Sequence, residues 1–244
     1  MNVSEDIGAI VLAGGMGTRV KEVLGLRPKS MASVCHRPFI DYIIGFLQRF
    51  GISKIVVSTG FQAEFLESHL RNVHLSNGIS WAREATELGT GGGMLNAMRL
   101  SEVNPKYWLV CNGDSLALLA LSDFLKSIES RKTAGVILGV SMKDASRYGT
   151  LLRDGDSRLN RFIEKQPGSG VINAGIYLFR SDIFHGYPAM TQLSLERDIL
   201  PDLLRGGSRL FVYEANCPFI DIGTPESLAE AEKFITDNAG FFRS

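Results

Sequence analysis

The sequence predicts an α/β protein with a doubly wound, mostly parallel, Rossmann-like sheet and a mixed second lobe. Three observations carry this prediction. Strand-like apolar runs alternate with helix-period segments in the first half of the chain, a glycine-rich turn follows the first of those runs, and closer-spaced strand candidates replace the alternation after about residue 134.

Ile7 to Leu12 is the first strand-like run, and the glycine-rich turn follows it. A second run, Lys54 to Ser58, comes after a segment with Phe39, Ile40, Ile43, Ile44, Leu47 and Phe50 at helical spacing. Pro38 suits the first turn of that helix and Gly51 the left-handed residue just past its end, so the opening is a βαβ unit. The alternation goes on through a helix around Phe61 to Arg71, a strand near Ile79 to Arg83, a helix from Gly92 to Arg99 and a strand from Tyr107 to Cys111. Beyond, Gly135 to Met142, Leu159 to Glu164, Val171 to Arg180 and Arg209 to Glu214 read as strands, with helical runs near Leu195 to Leu204 and Pro225 to Asp237. This second half is expected to be mixed, with antiparallel pieces covering a site. No long linker, low-complexity tract or fixed-period repeat divides the 244 residues, so one domain over 1–244 is expected, with lobes of about 1–133 and 134–244.

Composition narrows the function classes. Hydrophobic residues make up 45% and charged residues 21%, an ordinary globular mix that excludes disordered and collagen-like chains. Lys plus Arg (26) balances Asp plus Glu (26), so no bulk field draws the chain to nucleic acid or anionic lipid, and any phosphate must be met locally. No run approaches the ~18 apolar residues of a membrane span, and the start MNVSEDIG carries Glu5 and Asp6 where a signal peptide carries Lys or Arg. A cytoplasmic location is therefore expected, with neither nucleic acid nor membrane as partner. Cys35, Cys111 and Cys217 fit neither a disulfide framework nor a CxxC pattern and read as buried small hydrophobes.

The turn Leu12-Ala13-Gly14-Gly15-Met16-Gly17-Thr18-Arg19 stands where an open α/β sheet binds ligands, at the carboxyl end of the first strand. Its glycines clear side chains from backbone amides that could meet a phosphate. It is not the dinucleotide fingerprint, because Val20 stands where a third glycine is needed, and it lacks the G-K-[ST] of a Walker loop. Glycine alone equally suits a tight strand-to-helix turn. Arg19 directly after it, and Pro28-Lys29 further on, favour a phosphate cradle.

LAGGMGTR followed by PK resembles the G-x-G-T-R-(x)n-P-K signature of sugar-1-phosphate nucleotidyltransferases. Further matching stations occur in family order: Glu84 with Leu88-Gly89-Thr90, Gly113-Asp114, Tyr148-Gly149-Thr150, Glu164-Lys165, Asn173-Ala174-Gly175-Ile176-Tyr177, and Asp221-Ile222-Gly223-Thr224-Pro225. Two runs depart from the pattern. Residues around Glu22 to Leu26 replace the usual P-L-T, and Cys35-His36-Arg37-Pro38 replaces the usual G-K-P. Both are expected to lie beside the site. The chain ends at Ser244 without a hexapeptide-repeat extension, so a second activity is not expected.

The resemblance implies a sheet of the nucleotidyltransferase type, with a nucleotide-binding lobe followed by a sugar-phosphate-binding lobe. It also implies the reaction: a sugar-1-phosphate oxygen attacks the α-phosphorus of a nucleoside triphosphate and pyrophosphate leaves in line. Both reactants are polyanions, so cations fixed in advance lower the barrier. The resemblance gives that role to Arg19, on the triphosphate, and to Lys29, on the α-phosphate and the incoming sugar phosphate. It makes Asp114 and Asp221 the ligands of Mg²⁺, a hard cation that needs only one or two protein carboxylates. Leu12, Ala13, Gly14, Gly15, Gly17, Thr18, Arg19, Glu84 and Gly89 then form the nucleotide site, and Gly149, Glu164, Lys165 and Asn173 the sugar-phosphate site.

The attacking phosphate is already a nucleophile, so no covalent intermediate is needed. His36, His69, His74 and His185 receive no role, and no zinc site is expected. At the base-reading position, Glu84 can accept the adjacent N1–H and N2 amino donors of guanine, which favours GTP over uracil or thymine nucleotides. LAGGMGTR, LGTGGG, NGDS and FIDIGTPE together most resemble guanylyltransferases acting on D-glycero-D-manno-heptose 1-phosphate. Enzymes acting on mannose 1-phosphate, and uridylyl or thymidylyl enzymes acting on hexose 1-phosphates, are the alternatives, and a homo-oligomer stays open. A non-catalytic sensor of sugar nucleotides would be expected to lose Lys29 or a metal aspartate. Both are kept.

Overall fold

The computed structural model describes residues 6–74 and 78–242. Strand β1 (Ile7–Leu12) sends Ile7, Ala9 and Val11 into one core layer and Ile10 into the other. Only a strand covered on both faces has that demand, and helices cover both faces here. After the turn come a single helical turn α1 (Lys21–Leu24), the two short strands β2 (Ser33–Val34) and β3 (Arg37–Pro38), and the amphipathic helix α2 (Phe39–Arg49). Next are β4 (Ile55–Thr59), α3 (Ala63–His74), β5 (Ile79–Arg83), α4 (Gly89–Leu100) and β6 (Tyr107–Asn112). The rest comprises β7 (Ser115–Ala117), α5 (Leu121–Ser130), β8 (Gly135–Met142), β9 (Thr150–Arg153), β10 (Leu159–Ile163) and β11 (Gly170–Arg180). A π-type turn (Leu195–Ile199) leads into α6 (Leu200–Arg205), and β12 (Leu210–Ala215), β13 (Phe219–Asp221) and α7 (Pro225–Asp237) close the chain.

Strands β5, β4, β1 and β6 lie side by side and parallel within a nine-stranded sheet. The chain winds from β1 outward to β5, then crosses back to lay β6 on the other side of β1. The gap between the carboxyl ends of β1 and β6 is thus the point where the winding reverses, where open α/β sheets bind ligands. On the far side of β6 the pairing turns antiparallel: β11 pairs with β6, β8 and β9, while β12 joins β8 in parallel. One core layer holds apolar residues of α2, α3, α5 and α7, and the other those of α4, the π-type turn and α6.

Several elements coincide with the sequence expectation, including β1, β5, β8 and α7. Others differ. Helix α4 begins at Gly89 rather than Gly92, and Leu195–Arg205 is a π-type turn running into a short α-helix rather than one regular helix. Helix α5, with Leu121, Phe124, Leu125 and Ile128 buried at helical spacing, was not among the expected elements, nor were the short strands β7 and β13. Pro38 stands just before α2 as its cap, and Gly51 takes the left-handed conformation expected. Of the cysteines only Cys111 is fully buried; Cys35 and Cys217 are partly open. Cys35 and His36, both with positive φ, form the turn between β2 and β3, and the Cys35 N–H donates to Glu232 on α7. That run therefore packs against the last helix and does not line the cleft described below, contrary to its expected place beside the site.

The glycine turn is anchored to its neighbours through the backbone. The Ala13 N–H donates to the Ser58 carbonyl at 2.9 Å, and the Phe61 N–H to the Gly14 carbonyl at 2.9 Å. A Cβ on Gly60 would stand 2.7 Å from that same Gly14 carbonyl oxygen, so backbone, not a yielding side chain, would have to move. Gly60→Ala is expected to cost about 1–3 kcal/mol, the usual range for overpacking, seen as a lower urea midpoint at unchanged m value.

Candidate active site

The register of β1 on β6 pairs Leu12 with Asn112, and the Gly113 N–H donates to the Leu12 carbonyl at 2.8 Å. The glycine turn and Asp114 therefore leave the sheet side by side. Strand β13 lies antiparallel to β7 with Asp221 opposite Ser115, and the Ile222 N–H donates to the Asp114 carbonyl at 2.9 Å. This pairing brings Asp221 beside Asp114 across 107 positions of sequence.

Lys29 enters from the short turn Lys29–Met31, half-buried, and its ammonium makes an ion pair with Asp114. A Cβ on Gly17, which has φ +58°, would stand 3.0 Å from Lys29 Cβ. The glycine turn thus lies against the stem of the lysine. Lys29 Nζ and Asp221 Oδ2 both come within 3.3 Å of the place a Cβ on Gly223 would take, so Asp221 stands near the ammonium that Asp114 pairs with, while its Oδ2 accepts from the Gly223 N–H at 3.0 Å. Asp114 Oδ1 accepts from Ser115 Oγ at 3.0 Å. Asp221 Oδ1 accepts from Tyr148 Oη at 3.1 Å and lies 3.3 Å from the Arg147 guanidinium. Burial and the Asp221 charge push the Tyr148 phenol up to about 12, so it stays a donor. Arg19, on the short turn Thr18–Val20, has no ion-pair or hydrogen-bond partner among the described residues.

One cleft runs past all of these groups. Its inner part is lined by Leu12, Ala13, Gly14, Gly15, Gly17, Thr18, Arg19, Glu84 and Gly89, which are all the residues expected at the nucleotide site, together with Lys29 and Asp114. Its outer part shares Arg19, Lys29 and Asp114 and adds Gly149, Glu164, Lys165 and Asn173, which are all the residues expected at the sugar-phosphate site, together with Asp221. The sequence-predicted residues therefore gather in one place. Two polar atoms at the wall, Ser30 Oγ and Asn112 Oδ1, are buried without a partner among the described residues, as befits a surface that expects a polar ligand.

Glu84 is seated at the end of β5, where its Oε1 accepts from Ser58 Oγ at 2.8 Å and its Oε2 from the Leu88 N–H at 3.0 Å. Burial pushes its carboxyl above the ordinary range despite those two bonds. Gly14 and Gly93 leave the room it occupies: a Cβ on Gly93 would stand 2.7 Å from Oε1. The glycines that open α4 serve a second approach. The Gly91 and Gly92 N–H groups both donate to the Leu193 carbonyl, which brings the strap before α6 down onto the helix.

That strap carries a residue without a sequence role. Glu196, on the π-type turn, accepts from Tyr177 Oη at 2.7 Å through Oε1, and from Thr90 Oγ1 and Ser194 Oγ at 3.1 Å through Oε2. Tyr177 Oη in turn accepts from Asn173 Nδ2 at 2.7 Å. Through the fully buried Tyr177, this chain joins Asn173 and Glu196, both of which line the outer cleft. Arg147 likewise had no assigned role, and Tyr148 was noted only as part of a matching station.

The fold and this cleft define a nucleotide-handling transferase of the doubly wound α/β class. The chain belongs to the nucleotidyl transferase family, whose profile matches residues 8–238. Members of this family generally use a divalent metal. The chain is 33% identical over 227 residues to the D-glycero-alpha-D-manno-heptose 1-phosphate guanylyltransferase of Aneurinibacillus thermoaerophilus, an alignment covering 92% of this chain and 96% of that relative. It is 32% identical to the Campylobacter jejuni protein of the same description, covering 89% and 95% of the two chains. A crystal structure of HddC from Yersinia pseudotuberculosis complexed with GMP-PN superposes with a TM-score of 0.82 at 31% identity, over 93% of this chain and 98% of that one. Among the described residues, no helix is long and apolar enough to cross a membrane.

Proposed function

We propose that this protein transfers a guanylyl group from GTP to D-glycero-D-manno-heptose 1-phosphate, releasing pyrophosphate and forming a GDP-sugar. The observation that carries the reading is the convergence of Arg19, Lys29, Asp114 and Asp221 on one cleft beside the glycine turn. The printed descriptions of the relatives support the base and the sugar.

In this reading the nucleotide lies in the inner cleft, with the glycine turn and the Arg19 guanidinium along its phosphates. The sugar phosphate lies in the outer cleft, near Gly149, Glu164, Lys165 and Asn173. A phosphate oxygen of the sugar attacks the α-phosphorus, and the bond from that phosphorus to the pyrophosphate oxygen breaks. Lys29, between the two parts of the cleft, meets charge building on the α-phosphate. The paired carboxylates of Asp114 and Asp221 are a hard oxygen donor set that fits Mg²⁺, which when bound supplies further neutralisation of the phosphates.

Each oxygen of Glu84 accepts one protein hydrogen bond and keeps a lone pair free, enough to take the N1–H and N2 amino donors of guanine. Glu196 acts through Tyr177 to hold Asn173 toward the sugar.

Pyrophosphate release from GTP, UTP, dTTP, CTP and ATP, each against hexose and heptose 1-phosphates, tests the reading. GTP with the heptose 1-phosphate is expected to give the highest kcat/KM, and equal rates with UTP would overturn the role of Glu84. Lys29→Ala and Arg19→Ala should each lower kcat about 10²- to 10³-fold, or ~2.7–4 kcal/mol, with near-UV circular dichroism unchanged. A protonated Glu84 would present an O–H donor to guanine donors. On acidification, the KM for GTP should therefore begin to rise at a pH above the ordinary glutamate range, because burial raises this carboxyl. Glu84→Gln should remove that rise and relax the preference for GTP. Glu196→Ala should raise the KM for the sugar 1-phosphate by roughly tenfold or more, the scale of a lost hydrogen bond to a charged group, while leaving the KM for GTP in place.

A further inference from the structure

Away from the cleft, one cluster of chemistry-bearing side chains has no part in the reaction. Asp41, in the first turn of α2, is buried, and its Oδ1 accepts from His69 Nε2 and from His74 Nε2, each at 2.8 Å. Both histidines belong to α3, and none of the three residues lines the cleft. The donor atoms lie within 4.8 Å of one another. His74 is only 5% exposed, and its second nitrogen, Nδ1, is buried without a hydrogen-bond partner among the described residues. His69, in contrast, is partly open to solvent and leaves a way in.

We propose that Asp41, His69 and His74 form a binding site for a borderline transition cation of the Zn²⁺ class, and that the bound ion fastens α2 to α3. The inference is independent of the nucleotidyl-transfer reading. Two imidazole nitrogens and one carboxylate oxygen are the donor set that such an ion prefers, with water able to take a fourth position. Mg²⁺, which favours oxygen ligands, belongs with Asp114 and Asp221 instead.

The geometry is close to what coordination needs. Bonds of about 2.0–2.2 Å at tetrahedral angles set donors about 3.4 Å apart, so each 2.8 Å contact has to open by only about 0.6 Å. On binding, each imidazole turns its Nε2 lone pair to the ion, and the proton now on Nε2 moves to Nδ1 or to solvent. Arg37 does not block the centre. It lies 3.7 Å from the opposite oxygen, Oδ2, donates to the Asp41 carbonyl and stacks over the Tyr42 ring.

The test uses the untagged full chain, stripped with a chelator and titrated with Zn²⁺ in millimolar Mg²⁺ so that all-oxygen sites are occupied. Calorimetry should show one equivalent bound, and Co²⁺ in its place should give the visible absorption of a tetrahedral imidazole site. At a hundredfold excess of Zn²⁺ over its Kd, the thermal midpoint should rise by about 5–10 °C. His69→Gln, at the more open position, should keep the fold and the Mg²⁺-dependent activity while weakening Zn²⁺ at least about 100-fold, since even outer-shell changes at metal sites cost 10- to 100-fold. Absence of Zn²⁺ binding in excess Mg²⁺ would overturn the proposal. So would a His69→Gln chain that binds Zn²⁺ as tightly as the parent, because the ion would then sit on Cys35, Cys217 or the cleft carboxylates.

Discussion

The site depends first on one backbone constraint, the parallel register that sets Leu12 of β1 opposite Asn112 of β6. Beyond that pair the chain on one side becomes a glycine turn and on the other Gly113-Asp114. A shift of one residue would turn Asp114 to the wrong face, because side chains alternate along a strand. The Gly113 N–H bond to the Leu12 carbonyl extends the ladder to the last residue before the aspartate. The geometry of the candidate site is therefore set by main-chain pairing of two strands in which every residue but the last is buried.

On that frame the cleft is arranged as a balance of charge. Asp114 and Asp221 converge, and two carboxylates in proximity would repel. Lys29 pairs with Asp114, while Arg147 and Tyr148 hold the outer oxygen of Asp221. Lys29 neutralises Asp114 in place, and Arg19 remains a positive charge at the cleft with no partner among the described residues. Such a site needs little reorganisation when phosphates bind, which is the condition under which fixed charges are most effective.

Much of this was legible in the chain, for physical reasons that differ by element. β1, β5, β8 and α7 follow from short apolar runs, period-3.6 spacing and caps, all local signals. The glycine turn, Arg19 and Lys29 were legible because they lie within one short stretch and act as a unit, down to Gly17 resting on the lysine stem. β7 and β13 are three residues each, too short to carry a period, and exist because they pair with one another across the chain. Helix α5 did carry a helical pattern, in Leu121, Phe124, Leu125 and Ile128, but lies where the regular strand–helix alternation breaks down. Glu196 offered only a helix-like run. Its importance comes from Tyr177, nineteen residues back, and from Thr90, 106 residues back, contacts that no local pattern announces.

The histidines show the same limit in sharper form. Considered one by one along the chain, each is an ordinary residue, and no spacing among His36, His69, His74 and His185 suggests a metal site. His69 and His74 are five apart, which on a regular helix sets side chains well off a common face. Both nonetheless reach one oxygen of Asp41, because α2 places that carboxylate against the last turns of α3. Burial would push the Asp41 carboxyl up, but the hydrogen bonds from His74 and His69 outweigh it and hold it below the ordinary range. It therefore remains an ionised acceptor deep in the packing between two helices. A buried anion needs a positive partner; Arg37 lies 3.7 Å from Oδ2, and at Oδ1 the imidazoles can add to it either as protonated rings or as ligands to a shared cation. In both arrangements Nδ1 of His74 carries a proton that no described residue receives; the donor set of two imidazoles and one carboxylate is what favours the shared cation.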